Sequence, residues 1–100
     1  MIKVKIDKNH IEIKGHAMYD DYGKDIVCAS VSSIVITSVN AIYKFDKEAI
    51  SYEEGNGFLK IEILKNTRET EIIILNMIEL LEELQKQYED NIKIYKEVHE

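Results

Sequence analysis

Two short segments at the amino end do most to decide what this chain can fold into. Ile2, Val4 and Ile6 alternate with Lys3, Lys5 and Asp7; after Lys8-Asn9 a second alternation sets Ile11 and Ile13 against Glu12 and Lys14. A period of two is the periodicity of a strand, and two such runs joined by a short polar turn read as a hairpin. The apolar side of that hairpin must be covered by something else in the chain. With 100 residues, 45% of them hydrophobic and 32% charged, the sequence has room for one small domain, residues 1–100, and is too apolar to be intrinsically disordered.

The cover comes from two helical patterns. Between Asp25 and Lys44, Val and Ile favour strand by propensity, but Ser30, Ser33, Thr37, Asn40 and Lys44 recur at steps of three and four. Opposite that polar stripe stand Val27, Val31, Val35, Val39 and Ile42, which predicts the central, most buried helix. Farther on, Thr67 or Thr70 caps a second helix whose Ile73, Met77, Leu80, Leu81, Leu84 and Tyr88 keep the same rhythm. Between the helices, Ala49 to Glu53 and Phe58 to Leu64 flank Glu54-Gly55-Asn56-Gly57, a second hairpin. Asn91 to Val98 alternates through Ile92 and Ile94 as a last strand. The predicted order is ββαββαβ, an α+β fold with a mostly antiparallel five-stranded sheet and two helices packed on it.

Charge and cysteine content narrow the function. Thirteen basic residues against nineteen acidic ones give a net charge of −6, so a general phosphate-neutralising surface, and with it direct nucleic-acid binding, is not expected. The acidic load lies mainly on the second helix, at Glu79, Glu82, Glu83 and Glu89, as on a solvated helix face. No apolar run is expected to approach the roughly 18 residues of a membrane span, and the alternating start is unlike a signal peptide, so a cytoplasmic protein with no membrane partner is expected. The lone cysteine, Cys28, cannot form an internal disulfide or a multi-cysteine zinc site. His10 and His99 stand apart from it, and no metal or other cofactor is expected.

Cys28 is either inert core or a reactive thiol. Three features favour the second reading. Asp25 as a helix cap would put Cys28 in the first turn, where unsatisfied N–H groups and the positive end of the dipole favour a thiolate. His16 lies twelve residues upstream at the end of a strand, directly after Gly15. The segment between, Gly15 to Lys24, reads as a loop that can fold the imidazole back over the helix start, with Tyr19, Tyr22 and Gly23 placed to meet a substrate. A base within reach of a thiol is the minimum for covalent catalysis. Asp25 has a second reading as the group that orients His16. Ser32, four residues after Cys28 on the same face, either bonds a carbonyl one turn back or positions the loop.

A Cys-His pair at this spacing is common by chance, but the surrounding letters are more specific. Gly15-His16-Ala17 followed by Gly23-Lys24-Asp25-Ile26-Val27-Cys28-Ala29-Ser30-Val31-Ser32 closely resembles the signature of the ribosomal-processing cysteine protease family, along nearly the whole chain. Ser30 stands where alanine is common in that family, and the Met18 to Tyr22 loop is this sequence's own. The resemblance implies a cysteine endopeptidase in which His16 and Cys28 form the catalytic dyad, with Gly15, Asp25 and Ser32 at signature positions. It also implies a substrate: the precursor of the large-subunit ribosomal protein L-twenty-seven, from which an N-terminal extension is removed. Small enzymes of this type tend to need a partner subunit to bury enough surface, so a homodimer is expected. The rival reading is a non-catalytic ribosome-associated binding or regulatory module, which would not need His16 and Cys28 together. A redox-sensing protein would need Cys28 and be indifferent to His16.

Overall fold

The computed structural model describes residues 1–15 and 22–97. Its elements are β1 (Ile2–Ile6), β2 (His10–Lys14), α1 (Tyr22–Phe45), β3 (Ile50–Gly55), β4 (Phe58–Ile63), α2 (Arg68–Gln87) and β5 (Ile92–Lys96). The ββαββαβ order is as predicted. The strands form one sheet in the spatial order β3-β4-β2-β1-β5. Three of its pairings are antiparallel, and the fourth, β1 with β5, is parallel. That parallel pair, which periodicity does not reveal, lays the last strand beside the first with Ile2 opposite Ile92 and Val4 opposite Ile94.

The core lies between one face of the sheet and the two helices. Ile2, Val4, Ile11, Ile13, Leu59, Ile61 and Ile92 come from the strands, and all are at most 3% exposed. They meet the whole predicted valine stripe of α1, Val27, Val31, Val35, Val39 and Ile42. Because serine, threonine and alanine share α1 with these residues, Ile26–Phe45 is in fact 20 residues with a mean hydropathy of 1.8, long and apolar enough to cross a membrane. The expectation that no run reaches that length is therefore corrected. In the fold this segment is the helix that covers the sheet, its valine stripe closed off from solvent.

α2 is held by clearer end signals. The Thr67 hydroxyl accepts the Thr70 N–H at 3.2 Å, so the first of the two candidate caps is the real one. Glu69 and Glu71 in the first turn and Lys86 in the last suit the helix dipole. Thr70, Ile74, Met77 and Leu81 form its buried edge. Leu80 was expected inside and is 40% exposed, because the stripe turns on Ile74 and Met77 and carries Leu80 past the edge of the core. The second hairpin also differs in detail: Gly55 is still in β3, paired with Phe58, and only Gly57 has the positive φ, at 84°.

Candidate active site

Four chain segments converge at one end of the sheet. The start of β1, the end of β2 and the start of β5 must share that end, because β1 runs antiparallel to β2 and parallel to β5. The Ile2 N–H donates to the Asn91 carbonyl at 2.8 Å, and the Gly15 N–H to the Gly57 carbonyl at 2.8 Å. Against these strand ends lies the amino-terminal half of α1. Met1, Ile2, Gly15, Val27, Cys28 and Asn91 line one small niche there.

Cys28 is half-buried and packs against the core, beside the fully buried Val27. Core packing fixes its backbone and leaves part of its surface open, as a nucleophile requires. The route by which the helix presents it differs from expectation. α1 begins at Tyr22, so Asp25 is its fourth residue and does not cap it, and Cys28 is the seventh. An amide at that depth lies within the range that helical geometry pairs with the carbonyl four residues earlier. The Cys28 N–H is therefore not a spare oxyanion donor, and the dipole, which acts mainly over the first turn, touches Cys28 less than a cap at Asp25 would give. The physical reason is that Tyr22-Gly23-Lys24, read as loop because of its glycine, continues the helix instead. Glycine in an end turn is tolerated for about 1 kcal/mol.

Gly15 is more than punctuation. Its φ is +87°, and a Cβ there would stand 2.6 Å from the Met1 carbonyl oxygen. Only glycine lets β2 end in this left-handed turn hard against the first residue. The chain therefore leaves the sheet within the niche that holds Cys28, and the next residue is His16. His16 and Tyr19 lie outside the described residues. Tyr22 and Gly23, expected in a loop, form the first turn of α1 instead. Ser32 is half-buried one turn beyond Cys28. Its neighbours Ser30 and Ser38 each donate to the carbonyl four residues back, at 2.9 and 2.8 Å. Asn91 and Met1 escaped the sequence reading: the β1–β5 pairing brings Asn91 to this end, and the β1–β2 hairpin sets Met1 against Gly15. Among the described residues no group of three or more His, Cys, Asp or Glu side chains is placed to hold a metal.

A thiol held by the core at a helix–sheet junction, in a niche that also holds the end of a strand, is a framework that a cysteine hydrolase can use. Comparison with known proteins makes this specific. The sequence profile of the family described as cysteine protease Prp matches residues 1–93. The ribosomal processing cysteine protease Prp of Staphylococcus aureus is 35% identical over 83 residues, covering 80% of this chain and 78% of that one. The Bacillus subtilis protein of the same name is 27% identical over 107 residues, covering 94% and 96%. The crystal structure of the Staphylococcus aureus protease in complex with a substrate peptide superposes with a TM-score of 0.90 at 28% identity, over 97% of this chain and all of that one. The chain belongs to the cysteine protease Prp family.

Proposed function

We propose that this protein is the endopeptidase that removes the N-terminal extension of its organism's ribosomal protein L-twenty-seven, through a dyad of His16 and Cys28. The observation that carries the reading is the placement of Cys28 and Gly15 in one niche, with His16 one peptide bond beyond Gly15. The relatives' description as ribosomal processing proteases supports the substrate class. So does the peptide bound to the staphylococcal enzyme, which is called essential.

In this mechanism His16 takes the Cys28 proton and the thiolate attacks the scissile carbonyl. A C–S bond forms, and as the tetrahedral intermediate collapses the C–N bond breaks, with His16 returning the proton to the leaving amine. Water then hydrolyses the thioester, losing a proton to His16, and the thiol is regenerated. Oxyanion donors are sought in the amides at the start of α1 and in the chain before it, since the Cys28 amide lies deeper in the helix. Asp25, one turn before Cys28, is left the role of orienting His16, and Ser32 that of support. Tyr19 and Tyr22, with Gly23, flank the peptide path. The enzyme works in the cytoplasm, where ribosomal proteins are made, as a homodimer. Incubation with the precursor under reducing conditions, with both products read by mass, tests the assignment. Two fragments cut at one bond support it, and an intact precursor beside a folded enzyme refutes it.

A further inference from the structure

The niche at the strand ends, which Cys28 lines, has a volume of about 10 Å³. A space of that size takes one water-sized group and no more, so every residue lining it stands close to the single atom it has room for. In thiol proteolysis one oxygen needs such a place: the oxygen of the scissile carbonyl, which takes up negative charge as the thiolate attacks. What the niche must then supply is a hydrogen-bond donor.

Its main-chain donors beyond the first residue are spent. The Ile2 N–H donates to the Asn91 carbonyl and the Gly15 N–H to the Gly57 carbonyl, both at 2.8 Å, and the Asn91 N–H donates to the Tyr88 carbonyl at 2.9 Å. Val27 and Cys28 are the sixth and seventh residues of α1, where amides pair within the helix. Of the six side chains around the niche, only those of Cys28 and Asn91 carry an N–H, O–H or S–H group. Asn91 is half-buried, and among the described residues no hydrogen bond engages its carboxamide. Its place in the turn before β5 does not account for it: asparagine usually serves a turn by bonding nearby backbone, and here the main chain alone makes the turn's bonds. A half-buried amide that contributes no hydrogen bond to the fold calls for another role.

We infer that Asn91 is the side-chain oxyanion donor of this site. Within the endopeptidase reading, on which this assignment rests, the Cys28 thiolate attacks the scissile carbonyl carbon, the C–S bond forms and the C=O π pair moves onto oxygen. That oxygen enters the niche and accepts the Asn91 Nδ2–H, donor and oxyanion standing about 2.7–3.1 Å apart. When the intermediate collapses the pair returns to the carbonyl, the C–N bond breaks and His16 protonates the leaving amine, so Asn91 itself passes no proton. The parallel β1–β5 pairing thereby has a catalytic consequence, because it carries Asn91 to the end of the sheet where Cys28 lies.

The test compares Asn91→Ala and Asn91→Asp with the parental chain on a peptide spanning the precursor's cleavage site. Asn91→Ala should lower kcat about 10²–10³-fold with KM within about twofold, because the donor acts on the charged oxygen and not on bound substrate. Asn91→Asp, which keeps the shape and turns only acceptors to the niche, should be slower still, whereas a residue needed only for the turn would show the reverse order. A peptide aldehyde of the same sequence, whose thiohemiacetal oxygen sits where the oxyanion forms, should bind Asn91→Ala at least about tenfold more weakly. Alkylation of Cys28 by iodoacetamide, which needs the thiolate and no oxyanion, should keep its parental rate in Asn91→Ala. Parental kcat in Asn91→Ala, an Asp variant faster than the Ala variant, unchanged aldehyde affinity, or a fall in alkylation equal to the fall in kcat would overturn the assignment and leave the endopeptidase reading standing. A folded parental chain that leaves the peptide uncut would overturn that reading, and the assignment with it.

Discussion

α1 and α2 share a layer and one core, yet they are built on opposite principles. α1 has no acidic residue between Asp25 and Asp46, seals five aliphatic side chains under itself, and carries the cysteine. α2 is capped, carries Glu69, Glu71, Glu79, Glu82 and Glu83, and buries one narrow edge through Thr70, Ile74, Met77 and Leu81. The difference separates two tasks. α1 is a platform whose valines hold Cys28 at a fixed height beside the strand ends, and α2 is a clamp that closes the core and keeps the molecule in water.

If this division is right, substitutions in the two helices should fail differently. Cys28→Ala should reduce proteolysis to background while changing stability by no more than about 1 kcal/mol, since a half-buried thiol packs little volume. His16→Ala should cost about 10²–10⁴-fold in kcat/KM, the usual share of a general base. Paired activity and thermal-melt measurements check both, and parental activity in either variant would break the assignment. In the clamp, Leu81→Ala should remove about 2–5 kcal/mol of stability, as truncation of a fully buried leucine does, while kcat per folded molecule stays unchanged. A loss of kcat there at full folding would mean that α2 takes part in the chemistry.

Gly15→Ala should fall between these outcomes. The positive φ and the 2.6 Å approach to the Met1 carbonyl predict about 1–3 kcal/mol of destabilisation. Activity should drop further than the folded fraction does, because the strand end that delivers His16 is displaced. Equal losses of both would reduce Gly15 to a purely structural residue.

The smallest effect belongs to the corner after α1, remote from the site. The Asp46 carboxylate accepts the Glu48 N–H at 2.9 Å and pairs with Lys65 at 3.2 Å, and these contacts hold its pKa below the ordinary value of 3.8. A carboxylate lowered on folding contributes stability that is fully present above its unfolded pKa and is lost as pH falls through the folded value. Wild type should therefore exceed Asp46→Asn slightly in stability at neutral pH, and the gap should close below about pH 4. A gap that persists at pH 2 would place the effect in packing instead.

The two helices also differ in how much of each the sequence discloses. α2 announces its start through Thr67 and its inner edge through Met77 and Leu81, because amphipathic contrast with glutamates marks both. The interior of α1 is as legible, since its valine stripe and serine-threonine stripe separate cleanly. Its start is not. Tyr22-Gly23-Lys24 has no periodicity and contains a helix-weakening glycine, so Asp25 reads as a cap when it is already inside the helix. The site suffers most from this, since the depth of Cys28 in the helix decides which amides are spare. Asn91 is illegible for another reason: its approach to Cys28 depends on a parallel pairing across nearly the full chain length, which no local pattern encodes. Cys28 and Gly15 themselves were readable because each is a chemical exception in its segment, and such local exceptions gather at functional sites.

The most direct test of the central claim treats the enzyme with a chloromethyl ketone built on the precursor's own cleavage sequence and follows intact mass beside residual activity. The account predicts one adduct per chain, localised by peptide mapping to Cys28, with activity lost in proportion to labelling and protection by unlabelled substrate. Full modification of Cys28 with proteolysis retained would contradict it.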